Sequence, residues 1–131
     1  MKYVNPRART SSGYQVYLNE LGGQSLEYKY LHALTKDPQF YNRVKQIATR
    51  LGEMNKPKGL YMDQMNVYRN SWSSDVASFF STGATFYTYL VKSHLLSGGY
   101  DMESLQMYQQ AIAAANRQFM FNTSGVGKEF E

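Results

Sequence analysis

The chain has 131 residues, no cysteine, 43% hydrophobic and 15% aromatic residues, and a formal net charge of +4. That is enough chain for one compact domain burying roughly two-thirds of its unfolded surface, and without cysteine there is neither a disulfide framework nor a thiolate metal centre. The basic residues are scattered over Arg7, Arg9, Arg43, Lys45, Arg50, Lys56 and Lys58 and form no stripe alternating with aromatics, so nucleic acid is not an expected partner.

Residues 1–13 are polar, with Pro6 and Gly13, and predict an extended N-terminal segment. They lack the apolar core of a signal peptide, and no stretch of the chain approaches the ~18 apolar residues of a membrane span. From about Tyr14 to Leu34, Val16, Leu21, Tyr28, Leu31 and Leu34 predict a first helix that runs through Gly22 and Gly23. "TKDP" closes it, and Asp37 followed by Pro38 opens a second helix over 38–53, with Phe40, Val44, Ile47, Ala48 and Leu51 at spacings of three and four. A long loop over about 54–77 follows, in which "GLYMDQMN" is strand-like and a short hairpin over 57–72 is the expected limit of any sheet. A third helix is predicted over 78–96, closed by Gly98 and Gly99 as a left-handed cap. A fourth runs from near Asp101 to about Phe121, with Leu105, Tyr108, Ala111, Ile112 and Ala115 facing inward, and a tail over 122–131 ends the chain. The fold class expected is all-α: two αα-hairpins joined by a long loop.

Four stretches carry a resemblance. "YLNELGGQSLEYKYLHALTKDPQFYNRV", "KPKGLYMDQMN", "STGATFYTYLVKSHLLSGGYD" and "MYQQAIAAANRQFM" resemble, in order, four motifs of class I α-mannosidases, glycoside hydrolase family 47. Members of that family trim α-1,2-linked mannose from N-glycans in an (αα)7 barrel. The resemblance spans roughly residues 13–121 and implies about two of the seven helical pairs.

Several site residues follow from the resemblance. It implies a catalytic Asp after Gly83 and a pocket Glu four residues on; this chain has Ala84 and Thr88 there. It places the other catalytic Glu residues on helices before and after this stretch, and the Thr that binds calcium near the family's C-terminus. Calcium is therefore expected only for an intact member, and no metal ligand or catalytic residue is assigned in this chain. Inverting hydrolysis needs two carboxyl groups roughly 6.5 to 9.5 Å apart, so the chain is expected to be inactive on its own. Glu20 and Glu27 match family residues that face the pocket. On one continuous helix they would lie about 10 Å apart along the axis, and they are read either as residual sugar-binding groups or as partners of neighbouring backbone. Gly22 and Gly23 between them suggest close approach of another backbone or a ligand.

Trp72, with Tyr61 and Tyr68, could stack on a sugar ring or plug the base of the helical pairs. His94 suits the negative end of the third helix. Met102, Met107 and Met120 are expected to be packing residues. Asn122 opens an "NTS" sequon, which one chance triplet would explain. Apolar residues wrap most of the third helix, with Phe79, Phe80, Phe86, Tyr87 and Tyr89 around its first turns. A helix apolar nearly all round is a buried one, so the expected partners are other protein subunits or the remainder of a barrel, together with a mannose-rich glycan. The resemblance implies the secretory pathway or endoplasmic reticulum, with an organellar complex as the alternative. Two functions stay open: a non-catalytic mannosidase-like module, and a structural accessory subunit of a larger complex.

Overall fold

The structure, a computed structural model, describes residues 4–5, 10–11, 15–79 and 83–119. Strands β1 (Val4–Asn5) and β2 (Thr10–Ser11) pair antiparallel. Then come β3 (Gln15–Tyr17), α1 (Leu18–Gly22), α2 (Ser25–Thr35), α3 (Pro38–Glu53), a 3-10 turn (Pro57–Gly59), β4 (Gln64–Asn66), β5 (Ser71–Trp72), α4 (Ala84–Leu96) and α5 (Met102–Phe119). Most of the described chain is helical, as expected, with α2–α3 and α4–α5 as the two hairpins.

Helix α3 begins and ends where the sequence places it. Asp37 accepts a hydrogen bond from Gln39 N at 2.9 Å, and Pro38 occupies the first turn, where a missing N–H costs nothing. Gly98 and Gly99 adopt positive φ, 68° and 91°, which end α4. Asp101 opens α5 by accepting from Ser104 N at 3.1 Å.

The first predicted helix is broken in two. Gly23 and Gln24 form a turn in which Gly23 N donates to Asn19 O at 2.7 Å, and α2 restarts at Ser25. Two adjacent glycines carry the lowest helix propensity short of proline. Gly22 also answers the question of close approach: a Cβ there would stand 2.5 Å from Cδ2 of Phe86, so α1 lies directly on α4.

Residues 15–17, expected as helix, form a strand that pairs antiparallel with β4, Val16 facing Met65. Strand β4 pairs in turn with β5 across a turn whose Asn66 Oδ1 accepts from Tyr68 N and Arg69 N. The sheet is therefore three-stranded, order β3-β4-β5, and a second small pair, β1-β2, lies ahead of it. Both exceed the hairpin expected. The cause is long-range pairing of a short segment containing Val16 and Tyr17, residue types that fit a pleated surface.

The third helix starts at Ala84, not Ser78. Asp63 holds the preceding segment extended: its carboxylate accepts from Ser78 N and from the Ser78 hydroxyl at 3.0 Å, and its N–H donates to Val76 O at 2.7 Å. Gly83 then passes so close to the Ser78 carbonyl that a Cβ would stand 1.8 Å from its oxygen.

One core gathers Leu18, Leu51, Tyr61, Phe86, Leu90 and Met107, and a smaller one Leu60, Met62, Ala114 and Ala115 beneath the sheet. Rings meet edge to face around Tyr61, with Phe86 at 5.0 Å, while Phe79 stacks on Tyr87 at 4.1 Å. Met107 packs as expected, but Met102 is 59% exposed. At the first turn of α5 no described element covers its side chain. Phe80, Met120, Asn122 and the rest of the tail lie outside the described residues.

Candidate functional site

Helices α2 and α4 lie side by side and run in the same direction. The Tyr89 hydroxyl donates to Glu27 Oε1 at 3.4 Å, and further along Lys29 Nζ donates to Ser93 Oγ. Each helix therefore has an inner face toward α3 and α5 and an opposite face. On the inner side is a cavity of about 350 Å³, lined in part by Leu21, Phe40, Val44, Leu51, Phe86 and Leu90, with Glu20, Lys29 and Arg43 among its polar residues.

The predicted site residues are divided by this layer. Phe86, Tyr89, Leu90 and Ser93 line the cavity, so at 3.6 residues per turn Ala84 and Thr88 point roughly 180° away. Thr88 is exposed and Ala84 half-buried. Glu27, also exposed, is not among the cavity-lining residues and meets Tyr89 across the α2–α4 contact. Ala84 and Thr88 thus lie on the face of α4 away from the cavity, and Glu27 lies at the contact between α2 and α4, outside the cavity lining.

Glu20 lies elsewhere. It lines the cavity, its Oε2 accepts from Tyr17 N at 2.9 Å, and it belongs to α1 while Glu27 belongs to α2. The break at Gly23 and Gln24 removes the single-helix geometry that would have put both carboxylates on one face. Trp72 lies apart from both faces. Its ring meets Tyr61 edge-on at 6.4 Å and its Nε1–H donates to Asn55 O at 2.6 Å. In this position it packs over the sheet end of the core, whereas Tyr68 is largely exposed on the β4–β5 turn.

A partly buried polar cluster at the edge of the cavity went unread in the sequence. Asp101 Oδ2 pairs with Lys29 Nζ at 2.5 Å and accepts from the hydroxyls of Ser93 at 2.6 Å and Ser104 at 2.8 Å. Burial works to raise the Asp101 pKa, but the hydrogen bonds from Lys29, Ser93 and Ser104 overcome it and hold the carboxyl well below the usual carboxylate range. The cluster is not a Ser–Lys nucleophile. Lys29 is neutralised by Asp101 while Ser93 aims its own proton at the same carboxylate, so no group is placed to activate the hydroxyl. The one signal in the sequence was Asp101 at the start of a helix; its partners are 8 and 72 residues away.

His94 lies in the last turn of α4, where its Nδ1–H donates to Asp101 O at 3.1 Å; His32 caps α2 similarly through Asp37 O at 2.8 Å. Among the described residues no group of three or more His, Asp or Glu could hold a metal ion. No helix among them is long and apolar enough to cross a membrane.

The comparisons agree with the architecture. The profile described as glycosyl hydrolase family 47 matches residues 1–129. Mannosyl-oligosaccharide alpha-1,2-mannosidase IA of Drosophila melanogaster is 36% identical over 104 residues, covering 79% of this chain and 16% of that protein. Mannosyl-oligosaccharide 1,2-alpha-mannosidase IB of Mus musculus is 33% identical over 82% of this chain and 17% of its own length; for the IC enzyme of Homo sapiens the figures are 33%, 89% and 18%. The chain spans about a sixth of the length of the curated relatives it matches. With the profile match over residues 1–129 and relatives 33–36% identical over most of its length, the chain belongs to glycosyl hydrolase family 47.

Proposed function

We propose that this chain is a non-catalytic mannosidase-like module, which presents the surface of an α-1,2-mannosidase without the groups that cleave the bond. The observation that carries this is α4: its 13 residues include no carboxylate, and Ala84 and Thr88 occupy the positions where the resemblance implies Asp and Glu. Loss of one general acid or base costs about 10²- to 10⁴-fold in rate. Glu27 and Thr88 remain, both exposed and outside the cavity lining, two groups that can hydrogen-bond a sugar hydroxyl. Nothing there makes the pair of separated carboxyl groups that inversion requires. The relatives' names supply the ligand class, a mannosyl-oligosaccharide. The test is incubation with a mannose-rich glycan and calcium; no free mannose should appear, and turnover above a buffer control would refute the proposal. The Ala84→Asp, Thr88→Glu variant should stay inactive too, because the resemblance places the remaining catalytic Glu residues on helices outside this stretch.

The accessory-subunit reading rests on a different observation. Leu34 near the end of α2, Leu95 and Leu96 at the end of α4, and Tyr100 after it are all exposed, the last two at 75% and 89%. Since α2 and α4 run in the same direction, these residues crowd one end of the layer. Several hundred Å² of such surface, at about 25 cal/mol per Å², is worth on the order of 10 kcal/mol to cover. Light scattering at tens of micromolar should show self-association; a stable monomer that binds no apolar dye would rule this reading out.

A further inference from the structure

We propose that the cavity between the two hairpins binds a single-chain anionic amphiphile of medium length, with the chain inside and the acidic head on Arg43. The site lies away from Thr88, and Glu27 is not among its lining; Glu20 is the one candidate sugar-binding residue that it includes. Its volume is about 350 Å³, at the small end of ordinary ligand pockets. At about 30 Å³ for a group the size of a water molecule, it accommodates roughly eleven or twelve non-hydrogen atoms. A ten-carbon carboxylate has that size.

The lining decides the chemistry of the body. Phe40, Val44, Ile47 and Leu51 of α3 face Phe86 and Leu90 of α4, and Met107 of α5 lies between them. Polar residues such as Gln24, Ser25 and Gln39 also line the cavity, but a sugar ring packed on these apolar side chains would leave the hydroxyls there without partners, whereas an apolar chain would not. The charges decide the head. Three charged residues line the cavity, and two are engaged: Glu20 by Tyr17 N–H, Lys29 by Asp101. Arg43 makes no hydrogen bond or ion pair among the described residues, and its exposed position on α3 lets a carboxylate reach it while keeping contact with water. A planar guanidinium suits a carboxylate head in a two-pronged contact.

The experiment is calorimetric titration of the full chain with sodium decanoate below its micelle concentration, and separately with neutral decanol. Both should bind at one site per chain. Arg43→Gln should weaken decanoate roughly three- to tenfold and leave decanol unchanged. Ile47→Trp, which fills the cavity from a partly exposed position, should abolish both. Leu96→Lys, on the exposed apolar end of the layer, should change neither. Three results would overturn the proposal: no binding of decanoate, equal binding by Ile47→Trp, or loss of binding in Leu96→Lys. The last would show that the amphiphile sits on the exposed end patch.

Discussion

Replacing Asp101 by alanine should be the most damaging single change outside the apolar core. In the native state this carboxylate accepts four hydrogen bonds: one from Lys29, one each from the Ser93 and Ser104 hydroxyls, and one from Ser104 N at the start of α5. Ser93 and Ser104 are only 2% and 5% exposed, so water cannot replace the lost acceptor, although Lys29 and Asp101 keep 25% and 18% of their side-chain surface. A fully buried pair broken from one side costs about 3–5 kcal/mol. With partial solvent screening the ion pair and hydroxyls together come to about 2 kcal/mol, and the lost helix cap adds about 1. The sum, about 3 kcal/mol, corresponds to a drop of roughly 10 °C in Tm for a chain of this size.

The pH dependence gives an internal control. Because the folded-state pKa of Asp101 is depressed below 3.8, its contribution is full above the unfolded value and fades as pH falls through 3.8 toward the folded value. The wild-type advantage over Asp101→Ala, measured by thermal unfolding followed at 222 nm, should therefore be constant from pH 7 to about 5 and shrink steadily below it. Lys29→Met in the same background should show non-additivity, since both changes remove one shared pair. A difference under about 1 kcal/mol, or one that does not change between pH 6 and 2.5, would show that the cluster does not act as described.

Gly22→Ala should destabilise by about 1–3 kcal/mol in urea titrations, because the new methyl meets the Phe86 ring at 2.5 Å; Phe86→Leu in the same chain should recover part of the loss, and an unperturbed Gly22→Ala would contradict the α1–α4 contact. Trp72 is the single tryptophan, so its fluorescence should be shifted to shorter wavelength than free indole, move on unfolding and stay fixed when mannose-rich glycan is added; a glycan-induced shift would restore it as a sugar platform. Burial pushes the Tyr87 phenol up to about 12. Stability should thus hold below pH 10 and fall as pH rises toward 12, with phenolate absorbance at 295 nm for this residue appearing only on unfolding.

Periodicity and punctuation were enough to locate α3, the end of α4 and the start of α5, because each depends on residues within a few positions of one another: Asp37 and Pro38, Gly98 and Gly99, Asp101 and Ser104. The family, too, was legible, since its motifs are contiguous stretches. Tertiary structure alone decided the rest. Val16 became strand because Met65 lies beside it, the helix start moved to Ala84 because Asp63 holds Ser78, and Gly22 matters because Phe86 approaches it. The pairing of Glu20 with Glu27 failed for the same reason. Their spacing of seven specifies one face only on an unbroken helix, and with the turn at Gly23 and Gln24 one carboxylate lines the cavity while the other meets Tyr89 outside that lining. The Lys29–Asp101 cluster and the cavity arise from contacts between residues dozens of positions apart, and such contacts leave no local pattern to read.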